Sequence, residues 1–155
     1  MTAPILELSR DLKAIITPVG KAMYDFTEDG VRAALSDAAH ADVVFHAPHP
    51  WGDLRGVDQI YQTLYAPLFQ AIPDLERRDF IVVAGSTDES AHWIGCAGYY
   101  LGTFVAPWLD ILPTGHIMHM RFHEFYRVEA GKIVEIQAVW DIPEVMIQAS
   151  CWPMA

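Results

Sequence analysis

The residues best suited to chemistry are concentrated in one segment, HIMHMRFHEFYRV, which spans residues 116–128. It contains His116, His119, His123 and Glu124 among methionines and aromatic residues. Histidine and glutamate side chains can bind a metal ion or transfer a proton near neutral pH. The composition of the segment indicates a strand, and neighbouring side chains of a strand point to opposite faces. The chemistry available here therefore depends on which residues share a face.

A metal site in this segment is not favoured by the spacing of its histidines. His119 and His123 would share one face of the strand, but on the order of 13 Å apart at the usual rise per residue. His116 would lie on the opposite face. Since the nitrogen ligands of one zinc ion lie about 2 Å from it, we predict no metal site. His119 and His123 are expected on the polar face of the strand, exposed to solvent or to a subunit interface.

Glu124 is predicted to lie on the other, apolar face of the same strand. The residues that share this face are Met118, Met120, Phe122, Tyr126 and Val128. A carboxylate in such surroundings is costly unless it is paired or protonated, and carboxyl groups placed in this way can act as a general acid or base. Glu124 could equally be a structural carboxylate that accepts a hydrogen bond from a buried tyrosine, tryptophan or amide. Both hypotheses follow from the sequence.

Further candidate site residues come from neighbouring segments. Tyr99 and Tyr100 lie on opposite faces of the preceding strand, and either hydroxyl could donate to a substrate oxygen. Asp141 begins the segment DIPE, which is typical of a helix N-cap, and would supply a second carboxylate at a cavity mouth. His46 precedes a proline-rich loop that suits a cavity rim. The side chains expected to bind substrate are Trp51, Tyr100, Trp108, Met120, Phe122, Tyr126 and Trp140.

Composition and charge exclude several classes of partner. The chain has 155 residues, of which 52% are apolar and 19% charged, and its formal net charge is −10. This favours one folded domain spanning residues 1–155. The negative charge argues against nucleic acid and anionic membranes, because both attract basic surfaces. Without a signal-peptide pattern or a CxxC motif, we expect a cytoplasmic protein whose Cys96 and Cys151 are free thiols.

The order of predicted elements indicates an α+β fold. Apolar periodicity predicts helices at residues 4–24, 31–39, 57–72 and 142–150, with a possible kink at Pro67. Residues typical of strands occupy 41–47, 77–85, 90–105, 116–128 and 132–140. Helices that precede long antiparallel hairpins are expected to pack on one face of a curved sheet.

Four segments in this order resemble the SnoaL-like polyketide cyclase family. They are AHADVVFHAPHPWGDLRGVDQIY (39–61), FQAIPDLERRDFIVVAG (69–85), LGTFVAPWLDILPTGHIM (101–118) and FYRVEAGKIVEIQAVWD (125–141). The resemblance covers about residues 36–149. It implies an NTF2-like cone, in which a strongly bent antiparallel sheet and N-terminal helices enclose an apolar pocket. It also implies a homodimer, a small-molecule substrate and chemistry without metal or organic cofactor.

The resemblance also concerns two site positions. The family is expected to use an inward-facing aspartate on the last strand and a histidine on the strand before it. In this chain those positions hold Ala138 and Glu124. The expected function is therefore a cofactor-independent acid–base enzyme (cyclase, isomerase, lyase or hydrolase) acting on an apolar oxygenated molecule, with Glu124 moving the proton. The alternative is a non-catalytic NTF2-like module for small-ligand binding or dimerisation.

Overall fold

One sheet of six strands, flanked by helices, makes up the described part of the chain. The computed structural model describes residues 3–87 and 90–153. Within them, the helices are α1 (Ala3–Tyr24), α2 (Glu28–Ala38), α3 (Gly56–Ile60), α4 (Ala66–Ala71) and α5 (Ile142–Gln148). The strands are β1 (Ala39–Ala47), β2 (Gly52–Arg55), β3 (Glu76–Ser86), β4 (His92–Thr103), β5 (Ile117–Glu129) and β6 (Lys132–Trp140). In these residues no helix has the length and apolar character needed to cross a membrane.

The sheet has the strand order β2-β1-β6-β5-β4-β3. Its pairs are antiparallel, as predicted, except that β1 and β6 run parallel. A hairpin forces antiparallel pairing, but nearly the whole domain separates β1 from β6, so their relative direction is not fixed in this way. The sequence prediction also missed β2, a short edge strand within the region interpreted as a loop.

The helices follow local signals in the sequence. In α1 the buried residues Leu12, Ile16, Val19 and Met23 recur at spacings of three and four, which turns one face of the helix towards the core. Helix α2 begins three residues before the predicted position. Thr27 is its N-cap, since its side chain accepts a hydrogen bond from the backbone amide three residues later.

The predicted helix at 57–72 is interrupted in the middle. A π-helical turn, Tyr61–Tyr65, separates α3 from α4. Pro67 lies at the start of α4 and has no N–H to continue the hydrogen-bond ladder of the preceding turn. The π-helical turn accommodates the missing hydrogen bond. It directs Tyr61 and Tyr65 into the core, where both are at most 2% exposed.

Strand β5 alternates between a buried and an exposed face along its whole length. The residues predicted on the apolar face are each at most 4% exposed. His119 and His123 lie on the exposed outer face, as predicted. Ala130 and Gly131 have positive φ values of 47° and 75° and form the tight hairpin to β6. The alternation therefore places Glu124 inside the cone.

Candidate active site

Glu124 is the centre of a buried hydrogen-bond network. Its Oε1 accepts from the Tyr100 hydroxyl at 3.0 Å and from the Trp140 indole Nε1 at 2.9 Å. Its Oε2 accepts from Arg77 Nη1 at 2.6 Å and, over a short contact, from the Tyr126 hydroxyl. The side chains of Glu124 and Arg77 have no exposed surface. The cost of burying this carboxylate is thus offset by an ion pair and three neutral donors.

The sheet register explains why these residues meet. Glu124 on β5 pairs directly with Cys96 on β4 and with Ala138 on β6. Arg77 on β3 pairs with Tyr100 on β4, so the two inward side chains lie next to each other. Ala138 has no side chain beyond Cβ, and the polar partners of Glu124 come instead from β3, β4, β6 and β5 itself.

Arg77 joins Glu124 to a second carboxylate. Its Nη2 donates to Asp79 Oδ1 at 2.9 Å, and its guanidinium carbon lies 4.3 Å from the centre of the Phe122 ring. Burial alone would lower the pKa of Arg77, but the Glu124 charge, with weaker contributions from neighbouring groups, raises it well above its usual value. Arg77 was not identified from the sequence. Its sequence context gave little signal, because Arg77 lies in a run of four charged residues, 76–79, at the start of β3.

The tyrosines of the network are neutral donors. Burial raises the pKa of Tyr100 and of Tyr126 well above the usual value, and the Glu124 charge acts in the same direction on both. The hydroxyl of Tyr65 lies 3.5 Å from that of Tyr100, and burial raises its pKa as well. Both hydroxyls that contact Glu124 can therefore donate throughout the neutral pH range.

Aromatic rings fill the space around Glu124. The ring centre of Tyr100 lies 4.8 Å from that of Phe122 and 5.3 Å from that of Trp140, and Tyr65 lies 5.9 Å from Trp140. The sequence predicted an apolar pocket lined by several of these residues. In the structure the side chains predicted to line it pack against one another instead, and Glu124 is fully buried.

An open groove lies next to this packed interior, and we call it the mouth. It has a volume of about 480 Å³ and lies between the β1–β2 loop, the β4–β5 loop and α5. Its lining includes His49, Leu109, Ile111, Trp140, Met146 and Trp152. Trp140 belongs to both regions, because it lines the mouth and donates its indole N–H to Glu124.

The predicted tryptophans come together beside the mouth. Trp51 is the central ring, with its centre 5.6 Å from that of Trp140 and 6.0 Å from that of Trp108. Met120 is fully buried on the inner face of β5. Of the three tryptophans, Trp140 contacts Glu124 directly, and Trp51 connects Trp140 to Trp108.

Two other predicted residues, Tyr99 and His46, do not reach Glu124. Tyr99 lies on the outer face of β4, where its hydroxyl accepts from Arg121 Nη2 at 2.6 Å. His46 follows the buried Phe45 on β1, so its side chain points outwards, and its Nδ1 lies 2.7 Å from Asp53 Oδ1. Side-chain alternation thus places Tyr99, predicted as a donor to the substrate oxygen, and His46, predicted to assist, on the outer side of the sheet and away from Glu124.

Asp141 has the capping role that its sequence context indicated. Its Oδ1 accepts from the Glu144 backbone amide at 3.1 Å and thereby caps α5. Its own backbone amide donates to the Arg121 carbonyl at 2.8 Å. Asp141 is half-buried and follows Trp140 directly, so it stands at the edge of the mouth without contacting Glu124 in the hydrogen-bond network.

No metal-binding cluster occurs in the described residues. Within 3–87 and 90–153, no group of three or more histidine, cysteine, aspartate or glutamate side chains could hold a metal ion. Cys96 is buried and Cys151 exposed, and both are free thiols. Burial raises the pKa of Cys96 to about 12, so its thiol is unreactive at neutral pH.

Comparisons with known proteins agree with this architecture. The model of the SnoaL-like polyketide cyclase family matches residues 18–149. No curated protein matches the chain. Among solved structures, AclR from Streptomyces galilaeus, a candidate hydroxylase, is 17% identical, with a TM-score of 0.74 over 94% of this chain and 84% of that chain.

Two further structures extend the likeness. IdmH, a candidate polyketide cyclase from Streptomyces antibioticus, is 19% identical, with a TM-score of 0.72 over 90% of this chain and 98% of that one. A candidate SnoaL-like polyketide cyclase from Jannaschia sp. CCS1 is also 19% identical, with a TM-score of 0.73 over 99% and 98% of the two chains. At these identities the likeness concerns the fold, and it confirms the predicted NTF2-like α+β cone.

Proposed function

Because this chain belongs to the SnoaL-like polyketide cyclase family, we propose that it is a cyclase-type enzyme that binds an apolar, oxygen-bearing small molecule at the mouth. Acid–base chemistry on that molecule would be carried by Glu124. The observation that carries this proposal is the position of Trp140, which lines the mouth and donates to the buried Glu124 carboxylate. The ligand site and the candidate base are thus separated by one side chain.

The mouth suits an apolar ligand. Its walls are formed mainly by proline, leucine, isoleucine, methionine and tryptophan side chains, and His49 is the titratable residue among them. Removing apolar surface from water is the main favourable contribution to binding in such a groove. A few polar atoms then fix the orientation of the ligand, and the Trp140 indole is one of them if it turns towards the mouth.

Glu124 is suited to the role of a general base. Both of its oxygens accept hydrogen bonds, from Arg77 and three neutral donors, as expected of a carboxylate, which can accept a proton but has none to give. A movement of the Trp140 ring would open Oε1 to a proton on the carbon next to a ligand carbonyl. The Tyr100 hydroxyl, already a neutral donor beside Oε1, would then stabilise the developing enolate oxygen.

A non-catalytic ligand-binding module is the second candidate. It is favoured by Ala138, which stands opposite Glu124 in the β5–β6 pair at the position where the family resemblance expects an aspartate. It is also favoured by the four donors that already satisfy Glu124. In this case Glu124 and Arg77 would only hold the rings that form the wall of the mouth.

Binding at the mouth can be observed through the five tryptophans of the chain. In a protein labelled with ¹⁵N-tryptophan, titration with 2-tetralone, a bicyclic ketone, should shift the indole N–H signals of Trp140 and Trp152, which line the mouth. The signal of Trp93, on the outer side of β4, should stay unchanged and serves as the internal control. Equal shifts of all five signals, or no shift at the solubility limit, would refute the mouth as the ligand site.

We also propose that the outer face of the sheet pairs two copies of the chain. The residues Ile81, Ala97, His123 and Val139 form one continuous row across β3, β4, β5 and β6. Ile81 and Val139 are 58% and 68% exposed, and the exposed Phe125 lies in the adjacent row. Several exposed apolar side chains close together on one face are typical of an interaction site, and the family resemblance points to a second copy as the occupant.

Light scattering after size-exclusion chromatography tests this pairing. The native chain should elute as a dimer, and Val139→Lys should shift it to the monomer because each copy would bury an unpaired charge. Leu112→Lys is the matched control, since Leu112 is similarly exposed, at 73%, but lies in the β4–β5 loop. A monomeric native protein, or an equal effect of both substitutions, would argue against this interface.

A further inference from the structure

A second groove lies between α1 and β3, and four of the ten lysines and arginines of the chain line it. They are Lys13 and Lys21 on the helix and Arg77 and Arg78 on the strand. The groove, which we call the lysine groove, has a volume of about 580 Å³ and shares no lining residue with the mouth. In a chain with a formal net charge of −10, such a concentration of positive charge makes this groove a local attractor of anions.

The two lysines carry the charges that the protein itself leaves free. Both arginines are ion-paired with carboxylates of the protein. Among the described residues, no carboxylate oxygen lies within 4.0 Å of the ammonium group of Lys13 or Lys21. Lys21 is exposed and Lys13 half-buried, so an anion in the lysine groove can reach both.

Both lysines lie on the face of α1 that is turned towards β3. They are eight residues apart, which is about 12 Å along the helix axis, and Thr17 lies midway between them in the lining. Lysine side chains are long and flexible, so both ammonium groups can approach one anion above Thr17. The neighbouring Gly20 fixes the direction of this face, since a Cβ at Gly20 would lie 3.0 Å from Asp79 Oδ2 on β3.

Apolar side chains lie next to these charges. Phe80 on β3 is 68% exposed and Tyr24 on α1 is 46% exposed, and both line the lysine groove together with the half-buried Val82. Asp79, the acidic residue of the lining, accepts from Arg77 Nη2 at 2.9 Å and from Arg77 Nε at 3.3 Å. An anionic group is therefore expected on the α1 side, away from Asp79, and an apolar body against Phe80 and Val82.

We propose that the lysine groove binds a small carboxylate with an apolar body. Lys13 and Lys21 would pair with the carboxylate, and contact of the apolar body with the groove would add the hydrophobic contribution. The negative charge of the rest of the chain opposes this binding only weakly, because salt screens charges more than about 10 Å away. The proposal is independent of the function proposed for the mouth, since the two grooves have separate linings.

Two naphthalene compounds of similar shape test this proposal on the native protein. 2-Naphthoate has the carboxylate, and 2-naphthylmethanol has a neutral hydroxyl group in its place. Titration with 2-naphthoate should shift the backbone amide signal of Thr17, and the affinity read from this signal should exceed that for 2-naphthylmethanol about fivefold or more. Equal affinities, no shift of Thr17 at the solubility limit, or shifts confined to the Trp140 and Trp152 indoles of the mouth would overturn the proposal.

A matched pair of double variants tests whether the lysines cause this preference. Lys13→Gln with Lys21→Gln should lower the affinity for 2-naphthoate about five- to tenfold and leave that for 2-naphthylmethanol unchanged. Arg10→Gln with Lys132→Gln removes two positive charges outside the lysine groove, and it should leave both affinities nearly unchanged. Equal losses in the two double variants would indicate a general effect of net charge and overturn the proposal. If circular dichroism shows that the lysine variant does not fold, the comparison of the two compounds on the native protein decides.

Discussion

Replacing Arg77 by methionine is expected to lower the free energy of unfolding by about 3–5 kcal/mol, the usual cost of breaking a buried ion pair by removing one partner. Methionine fills a similar volume but carries no charge. Glu124 would stay inside the protein with no exposed surface and without its counter-ion. Asp79, which receives hydrogen bonds from the same guanidinium, would lose its partner as well.

Urea unfolding of the native protein, Arg77→Met and Arg78→Met measures this loss of stability. The matched control is Arg78→Met, which changes the next residue of β3. The Arg78 side chain is 47% exposed and pairs with Glu76 at 2.8 Å, so its loss should destabilise the protein far less than the loss of Arg77. Equal destabilisation by the two substitutions would mean that the Arg77–Glu124 pair does not stabilise the interior in the way its burial indicates.

The inner and outer faces of β5 could be predicted because that strand pairs without irregularity next to Glu124. Alternation alone assigned Glu124 to the core and His119 and His123 to the surface. The same rule places Tyr100 and Tyr99 on opposite faces of β4, but both faces carry apolar residues, so the sequence does not indicate which tyrosine points inwards. Arg77 was harder to identify, because a register shift in β3 between Asp79 and Ile81 breaks the alternation that follows it.

The contents of the interior could not be predicted from the sequence. The pairing of Arg77 with Glu124 joins residues 47 positions apart, and it depends on the order of strands in the sheet. The pattern predicts which aromatic residues face inwards, but whether Tyr100, Phe122 and Trp140 leave a cavity depends on rotamers and on the curvature of the sheet.

Glu124→Gln is expected to reduce catalysis by at least about 100-fold, the lower range for the loss of a general base. Glutamine keeps the shape of the side chain and an Oε1 acceptor for Tyr100 and Trp140. Arg77 keeps its ion pair with Asp79. The variant should therefore fold, which circular dichroism and the ¹⁵N-tryptophan spectrum would verify, while the amide cannot accept the proton.

Glu124 is proposed to remove a proton from a ligand held at the mouth, and a ketone probe tests this proton transfer without knowledge of the natural substrate. In deuterium oxide, a base that takes a proton from the carbon next to the 2-tetralone carbonyl returns a deuteron, and proton NMR records the exchange. We predict exchange well above the spontaneous rate with the native protein, and a return to near that rate with Glu124→Gln although the probe still shifts the Trp140 signal. Equal exchange rates for the two proteins, or no enhancement by the native protein at saturating 2-tetralone, would contradict the role of Glu124 as the base.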